Sequence, residues 1–167
     1  MTYQDIKRNE VVNAYIKKGN AINRSRHAEY GALLADTILR DTDLSLEDRI
    51  TVMATIGNHD ESTGTAVDAV SAAVIIADKT DVRRNRVRSN ITSGFDIHDQ
   101  VNYAVTGTEL LIDTEKKVIT LSLTVDEEIC TMYEYFEIFL GRMVMCRRAA
   151  EMLGAKFKLK VNGSKVL

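Results

Sequence analysis

Apolar residues recur at helical spacing through the first half of the chain and alternate with polar ones in the second. Ile6, Val11, Val12, Tyr15 and Ile16 give one apolar face to a helix over residues 3–18, with Thr2 as N-cap and Gly19-Asn20 as its stop. Ser25 stands where an N-cap would open a second helix running to about 40. There His27, Tyr30, Gly31, Leu34, Ala35 and Ile38 fall at i, i+3, i+4, i+7, i+8 and i+11. Ser45 with Asp48 resembles a capping box, with Asp where Glu is usual, and opens a third helix to about 58. Its inward positions are Ile50, Met53, Ala54 and Gly57. A polar loop over 59–65 leads to a fourth helix over 67–82. The dense run Ala72-Ala73-Val74-Ile75-Ile76-Ala77 marks that helix as central and buried.

A short helix is expected near 97–105. After Thr106 the period changes. Segments 110–112 and 117–124 flank Asp113-Thr114-Glu115-Lys116, and strict alternation from Val118 to Val125 reads as a β-hairpin. One long helix follows over 127–153, with Ile129, Met132, Tyr133, Phe136, Leu140 and Met143 as its core stripe and Gly154 as its C′ residue. Phe157 to Val161 alternates again, and Asn162-Gly163 is a strong hairpin turn. The expected fold is mainly α: a helical bundle over 1–92, then a small α+β part over 93–167 with antiparallel hairpins and one long helix.

Composition narrows the function classes. The 167 residues are 45% hydrophobic and 28% charged, enough to bury a core and too apolar for disorder. The net charge of −2 excludes a globally basic nucleic-acid binder, so nucleic acid is not an expected partner. No apolar run reaches the ~20 residues needed to cross a bilayer, and the polar N-terminus lacks a signal-peptide core. Cys130 and Cys146 fall on one expected helix, too far apart to bond. A reduced, cytoplasmic protein with no membrane association is the expectation. Only His27, His59 and His98 are available to a metal site, so carboxylates must complete it.

Four places carry candidate chemistry. Asn58-His59-Asp60-Glu61 offers an imidazole and a carboxylate to one divalent ion at a helix end. His98-Asp99 repeats the dipeptide, so the spacing alone is weak, and the plain reading is a capping carboxylate beside a surface imidazole. Asp78 shares a helix face with Val70, Ala73, Val74, Ala77 and Asp81. A carboxylate on an apolar face needs a metal or a distant arginine, because Lys79 next to it in sequence points elsewhere. His27 sits on its helix's apolar face, as a core histidine or as a ligand beside His59 and Asp78. Lys79, Arg83, Arg84, Arg86 and Arg88 make a local excess of positive charge suited to phosphate oxygens, or a solvated helix face. No interleaved aromatics accompany this run, which disfavours a single-strand stacking platform. No glycine-rich phosphate loop and no nucleophile-elbow motif occurs.

These blocks in order resemble one branch of the HD-domain metal-dependent phosphohydrolases. The resemblance runs from Gly19-Asn20-Ala21-Ile22-Asn23-Arg24-Ser25-Arg26-His27 through Ile56-Gly57-Asn58-His59-Asp60-Glu61 and Ala77-Asp78-Lys79-Thr80-Asp81-Val82-Arg83-Arg84. It continues over Phe95-Asp96-Ile97-His98-Asp99 to the C-terminal Asn162-Gly163. It implies an HD-like helical bundle holding one or two divalent ions, among Mn, Fe, Ni, Mg and Zn, and water activated on the metal for attack at phosphorus. Asp78 matches the family's terminal aspartate ligand, and His27 and His59 match auxiliary histidines. Before Gly19-Asn20 stand Ile16-Lys17-Lys18, where the family carries a helix with its first His and then a His-Asp pair. The segment bearing those signature ligands is missing at the Lys18-Gly19 join.

The resemblance therefore implies a phosphohydrolase acting on a nucleotide or other phosphate ester. Its metal site would be rebuilt from His27, His59, Asp60 and Asp78, with Asp60 also catalytic. Lys79, Arg83 and Arg84 would hold phosphate on a small phosphorylated ligand. The alternative is a catalytically degenerate HD-like module serving binding or oligomerisation. The apolar faces left by the missing segment make a homo-oligomer the expected state.

Overall fold

In the computed structural model the described residues are 14, 17–19, 22, 24–84 and 97–166. The expected first helix lies almost wholly outside them, as do Arg86 and Arg88 and the side chain of His98. The chain divides into two compact units, Met1–Asp78 and Lys79–Leu167.

The first unit is built on a helical hairpin. A 3-10 turn, Arg24–Arg26, leads into α1, His27–Leu39, and α2 spans Leu46–Gly57. The N-cap of α1 is Arg26, with no side-chain cap, so Ser25 does not play the capping part read for it. The helix also rolls by about one position. Ala28, Gly31, Ala35 and Leu39 are buried, whereas Tyr30 and Ile38 reach solvent. Small residues point inward because a second helix comes close at that face, and helical period alone does not distinguish adjacent stripes. Ala35, Leu39 and Ile56 form the α1–α2 core, packed by Ala32, Val52 and Met53. Ile50, expected inward, is exposed.

The cap on α2 is as read: Ser45 Oγ accepts from the Asp48 amide at 3.1 Å and donates to Asp48 Oδ2 at 2.8 Å. Asp36 takes Arg40 at 2.5 Å at the end of its own helix and Arg49 at 2.8 Å across the hairpin. Helix α3, Ala69–Lys79, follows the loop. Asp68 Oδ1 accepts from the Ser71 amide at 2.7 Å at its start. Ala72, Val74, Ile75 and Ile76 are buried, in keeping with the apolar run.

The second unit corrects the expected fold class. It contains α4, Ile97–Ala104, strands β1, Val105–Asp113, and β2, Val118–Val125, helix α5, Met132–Met152, and strands β3, Lys156–Val161, and β4, Ser164–Lys165. The strands form one mixed sheet in the order β1-β2-β3-β4, with β2 and β3 parallel and the other pairs antiparallel. The protein is thus α+β, not a mainly α bundle with separate hairpins. Turn signals specify neighbouring antiparallel strands only. The parallel β2–β3 pair is joined through the whole of α5, and no local pattern announces it.

Ile119, Leu121, Leu123 and Val125 of β2 line up with Phe157, Leu159 and Val161 of β3 on one buried face. The opposite face carries Lys156, Lys158 and Lys160 in solvent. Helix α5 packs on β3. Its N-cap is Thr131, in a full capping box with Glu134. Cys130 therefore precedes the helix that carries Cys146, and both cysteines are buried and outside any disulfide among the described residues. The buried residues of α5 are Tyr135, Phe139, Met143, Met145, Cys146, Ala149 and Ala150. Tyr133 and Leu140, expected in the core, face outward.

Candidate functional site

Three of the expected residues meet in the first unit. His27 is the first residue of α1, and His59-Asp60 leaves the C-terminus of α2. The Nε2 atoms of His27 and His59 are 2.9 Å apart, and the rings meet edge to face. His59 is buried, and its Nδ1 lies 2.6 Å from the carbonyl oxygen of Ile56. A carbonyl only accepts, so His59 carries a proton on Nδ1 and donates it to Ile56, while its Nε2 faces His27. The Nδ1 atom of His27 faces Asp60 Oδ2 at 3.8 Å.

Asp60 is held as an anion. Burial alone would raise its carboxyl. The side-chain and backbone hydrogen bonds from Ser62 outweigh that, with help from His27, so the group titrates below the usual carboxylate range. The Ser62 amide donates to Oδ1 at 2.9 Å and the Ser62 hydroxyl donates to the same oxygen. That leaves Oδ2 for His27.

Two glycines fix this geometry. Gly19 is buried, and a Cβ there would overlap the carbonyl oxygen of His27 and stand 3.0 Å from Gly31 Cα. At Gly64 a Cβ would overlap the carbonyl of Asn58 and lie 2.7 Å from that of Asp60. The Gly64 amide closes the turn by donating to the Asp60 carbonyl at 2.8 Å. Neither glycine was assigned a role in the site from sequence, because each answers a contact that forms only in the fold.

The donor set can be compared with the needs of a divalent ion. The 2.9 Å between the two Nε2 atoms is a hydrogen-bond separation, shorter than the ~3.3 Å that two nitrogens bound at about 2.0–2.1 Å span around a tetrahedral ion. Among the described residues, no group of three His, Cys, Asp or Glu side chains is placed to hold a metal ion. The structure thus supplies an imidazole pair. It does not gather His27, His59, Asp60 and Asp78 into one cage. Asp78 is half-buried near the end of α3.

The expected phosphate-binding residues fall in the second unit. Lys79 is buried. Arg83 pairs with Asp81 at 2.5 Å. Arg84 Nε donates to the Tyr103 carbonyl at 2.6 Å, and its guanidinium lies 4.4 Å from the Tyr103 ring centre. Both arginines line an open pocket of about 260 Å³ with Val105, Thr106, Gly107 and Thr108. The sequence set Arg83 and Arg84 side by side as candidate phosphate groups. It did not show that Asp81 and the Tyr103 carbonyl engage them.

Comparison with protein-family models, with curated proteins and with solved structures finds no match for this chain. No helix among the described residues is long and apolar enough to cross a membrane.

Proposed function

We propose that this protein is an HD-like, divalent-metal-dependent phosphohydrolase acting on a nucleotide or other phosphate ester. The observation that carries the reading is the pair of imidazole Nε2 atoms at 2.9 Å, one of the rings held in place by Ile56. His27 and His59 would hold the ion, and a bound ion would supply Lewis-acid activation of water and of the phosphoryl group. Asp60, 3.8 Å from His27 Nδ1, adds a negative charge beside the pair. Within the second unit taken by itself, the Arg83–Arg84 pocket offers guanidinium groups to phosphate oxygens. The motif order from Gly19 to Arg84 supports the family assignment.

Calorimetric titration with Mn²⁺, Fe²⁺, Ni²⁺, Mg²⁺ and Zn²⁺ tests the site directly. One of them binds stoichiometrically to the wild type. Binding is lost in His59→Ala and in His27→Gln, and hydrolysis of phosphate esters depends on the same ion. Absence of binding by every ion, with the chain folded, overturns the reading.

A second reading is a catalytically degenerate HD-like module that binds or oligomerises in the cytoplasm. It is favoured by the engagement of Arg83 with Asp81 and of Arg84 with the Tyr103 carbonyl. It predicts no metal-stimulated hydrolysis across the same panel of esters.

A further inference from the structure

We infer that the outer face of α5 is a self-complementary seam that pairs antiparallel with a second copy of this chain. The core stripe of α5 runs through Tyr135, Phe139, Met143, Cys146 and Ala150. On the far side of the helix, about 140° around at 100° per residue, lie Tyr133, Glu137, Leu140, Val144, Arg147 and Glu151. Their spacing is 4, 3, 4, 3, 4 residues, the pattern of a and d positions along a coiled-coil seam. Tyr133 is 77% exposed and Leu140 56%, and these are large apolar groups to leave in water on a single stripe.

The spacing is also a palindrome about Arg142. A two-fold axis there sets Tyr133 against Glu151, Glu137 against Arg147 and Leu140 against Val144, each pair occurring twice. Each layer is chemically matched. Two aliphatic pairs flank the axis, two acid–base pairs lie outside them, and two phenol–carboxylate pairs close the ends. In the single chain Arg147 Nε is 3.9 Å from Glu151 Oε1, both side chains more than half exposed, so the bond is weak and easily exchanged for Glu137 of the other copy. Gly141 is exposed on the same side, and a Cβ there would meet nothing within 4 Å, so backbone approach beside Leu140 is unobstructed. A parallel pair would put Glu137 against Glu137 and Arg147 against Arg147. The charge order therefore selects the antiparallel arrangement.

The occupant is a second copy because the sequence of the seam is its own complement. One helix from each copy makes a small interface, so the dimer is reversible, with a dissociation constant on the order of micromolar or weaker. This pairing does not rest on the metal reading, and it gives the oligomerising alternative a defined surface.

Analytical ultracentrifugation of the full chain over a range of concentrations tests it, with circular dichroism to check folding. The wild type shifts from monomer to dimer as concentration rises. E137R and R147E each place like charges in two layers and remain monomeric at concentrations where the wild type dimerises. The double variant E137R/R147E restores the dimer, because the palindrome is preserved with its signs exchanged. Leu140→Asp abolishes it independently of the charge layers. A wild type that stays monomeric throughout overturns the inference. So does a dimer indifferent to the single swaps, or a double variant no better than either single one.

Discussion

The Nε2 atoms of His27 and His59 stand 2.9 Å apart, joining the first residue of one helix to the segment just beyond the next. The two histidines carry unequal structural weight. His59 is fully buried and donates to the Ile56 carbonyl, whereas the His27 side chain keeps 14% of its surface in solvent. His59→Ala removes packed volume and orphans a carbonyl, and should cost about 2–4 kcal/mol in urea denaturation. His27→Gln keeps a polar group at its site and should cost about 1 kcal/mol or less. Equal losses for the two would contradict this ranking.

Gly19→Ala and Gly64→Ala test the frame around that pair. Each adds a methyl group where backbone carbonyl atoms already stand. Overpacking of this kind costs about 1–3 kcal/mol. Gly19→Ala should also displace His27, seen as a shifted imidazole resonance in NMR spectra, while Gly64→Ala should shift His59. Unchanged stability together with unchanged imidazole resonances would show that the close approaches are not rigid.

In the second unit, Tyr135 is fully buried and stacked on Phe139, and among the described residues its hydroxyl finds no hydrogen-bond partner. Removing an unsatisfied buried hydroxyl recovers its desolvation cost, about 1–3 kcal/mol. Tyr135→Phe should therefore raise the thermal midpoint. Burial also pushes the Tyr135 phenol well above the usual tyrosine range. The folded state disfavours the phenolate, so this group's stabilising contribution is complete below about pH 10 and declines as pH rises above it. Absorbance titration should show one phenol ionising only with unfolding, and Tyr135→Phe should remove that step.

Acid unfolding should report the carboxylates held as anions. Hydrogen bonds from Arg49 and Arg40 lower Asp36, and bonds from Thr131 lower Glu134. At Asp60, burial opposes the Ser62 bonds but does not cancel them. A lowered native value means the unfolded chain binds protons first. The stabilisation is therefore present above about pH 4 and is lost as pH falls through the native values. Asp36→Asn and Asp60→Asn should each flatten the acid limb of the stability curve. A limb of unchanged slope in both would remove these groups as its source.

Much of the local structure is legible without coordinates. The Ser45 cap, the buried run in α3, the β1–β2 hairpin, Gly154 and the Asn162-Gly163 turn each follow from a few adjacent residues. Gly154, Asn162 and Gly163 all adopt positive φ, the backbone such positions require. Asn162 shows where that legibility stops. Its side-chain oxygen accepts from the Val125 amide at 2.8 Å and its amide donates to the Val125 carbonyl at 3.0 Å, so a turn residue also secures the end of β2. Nothing in the dipeptide reveals that second task.

Among the described residues, the sequence by itself determined that segments near 27–39, 46–57, 69–79 and 132–152 are helical and that 118–125 and 157–161 alternate as strands. Those properties depend on neighbours within about four residues, where backbone geometry fixes the period. Only the tertiary structure decided that β2 pairs parallel with β3 across α5, that Tyr133 and Leu140 face outward, and that His27 meets His59 while Asp60 turns to His27. Each of these joins residues far apart in the chain or chooses between adjacent faces of one helix. Such choices are made by what packs on the other side, and periodicity holds no record of it.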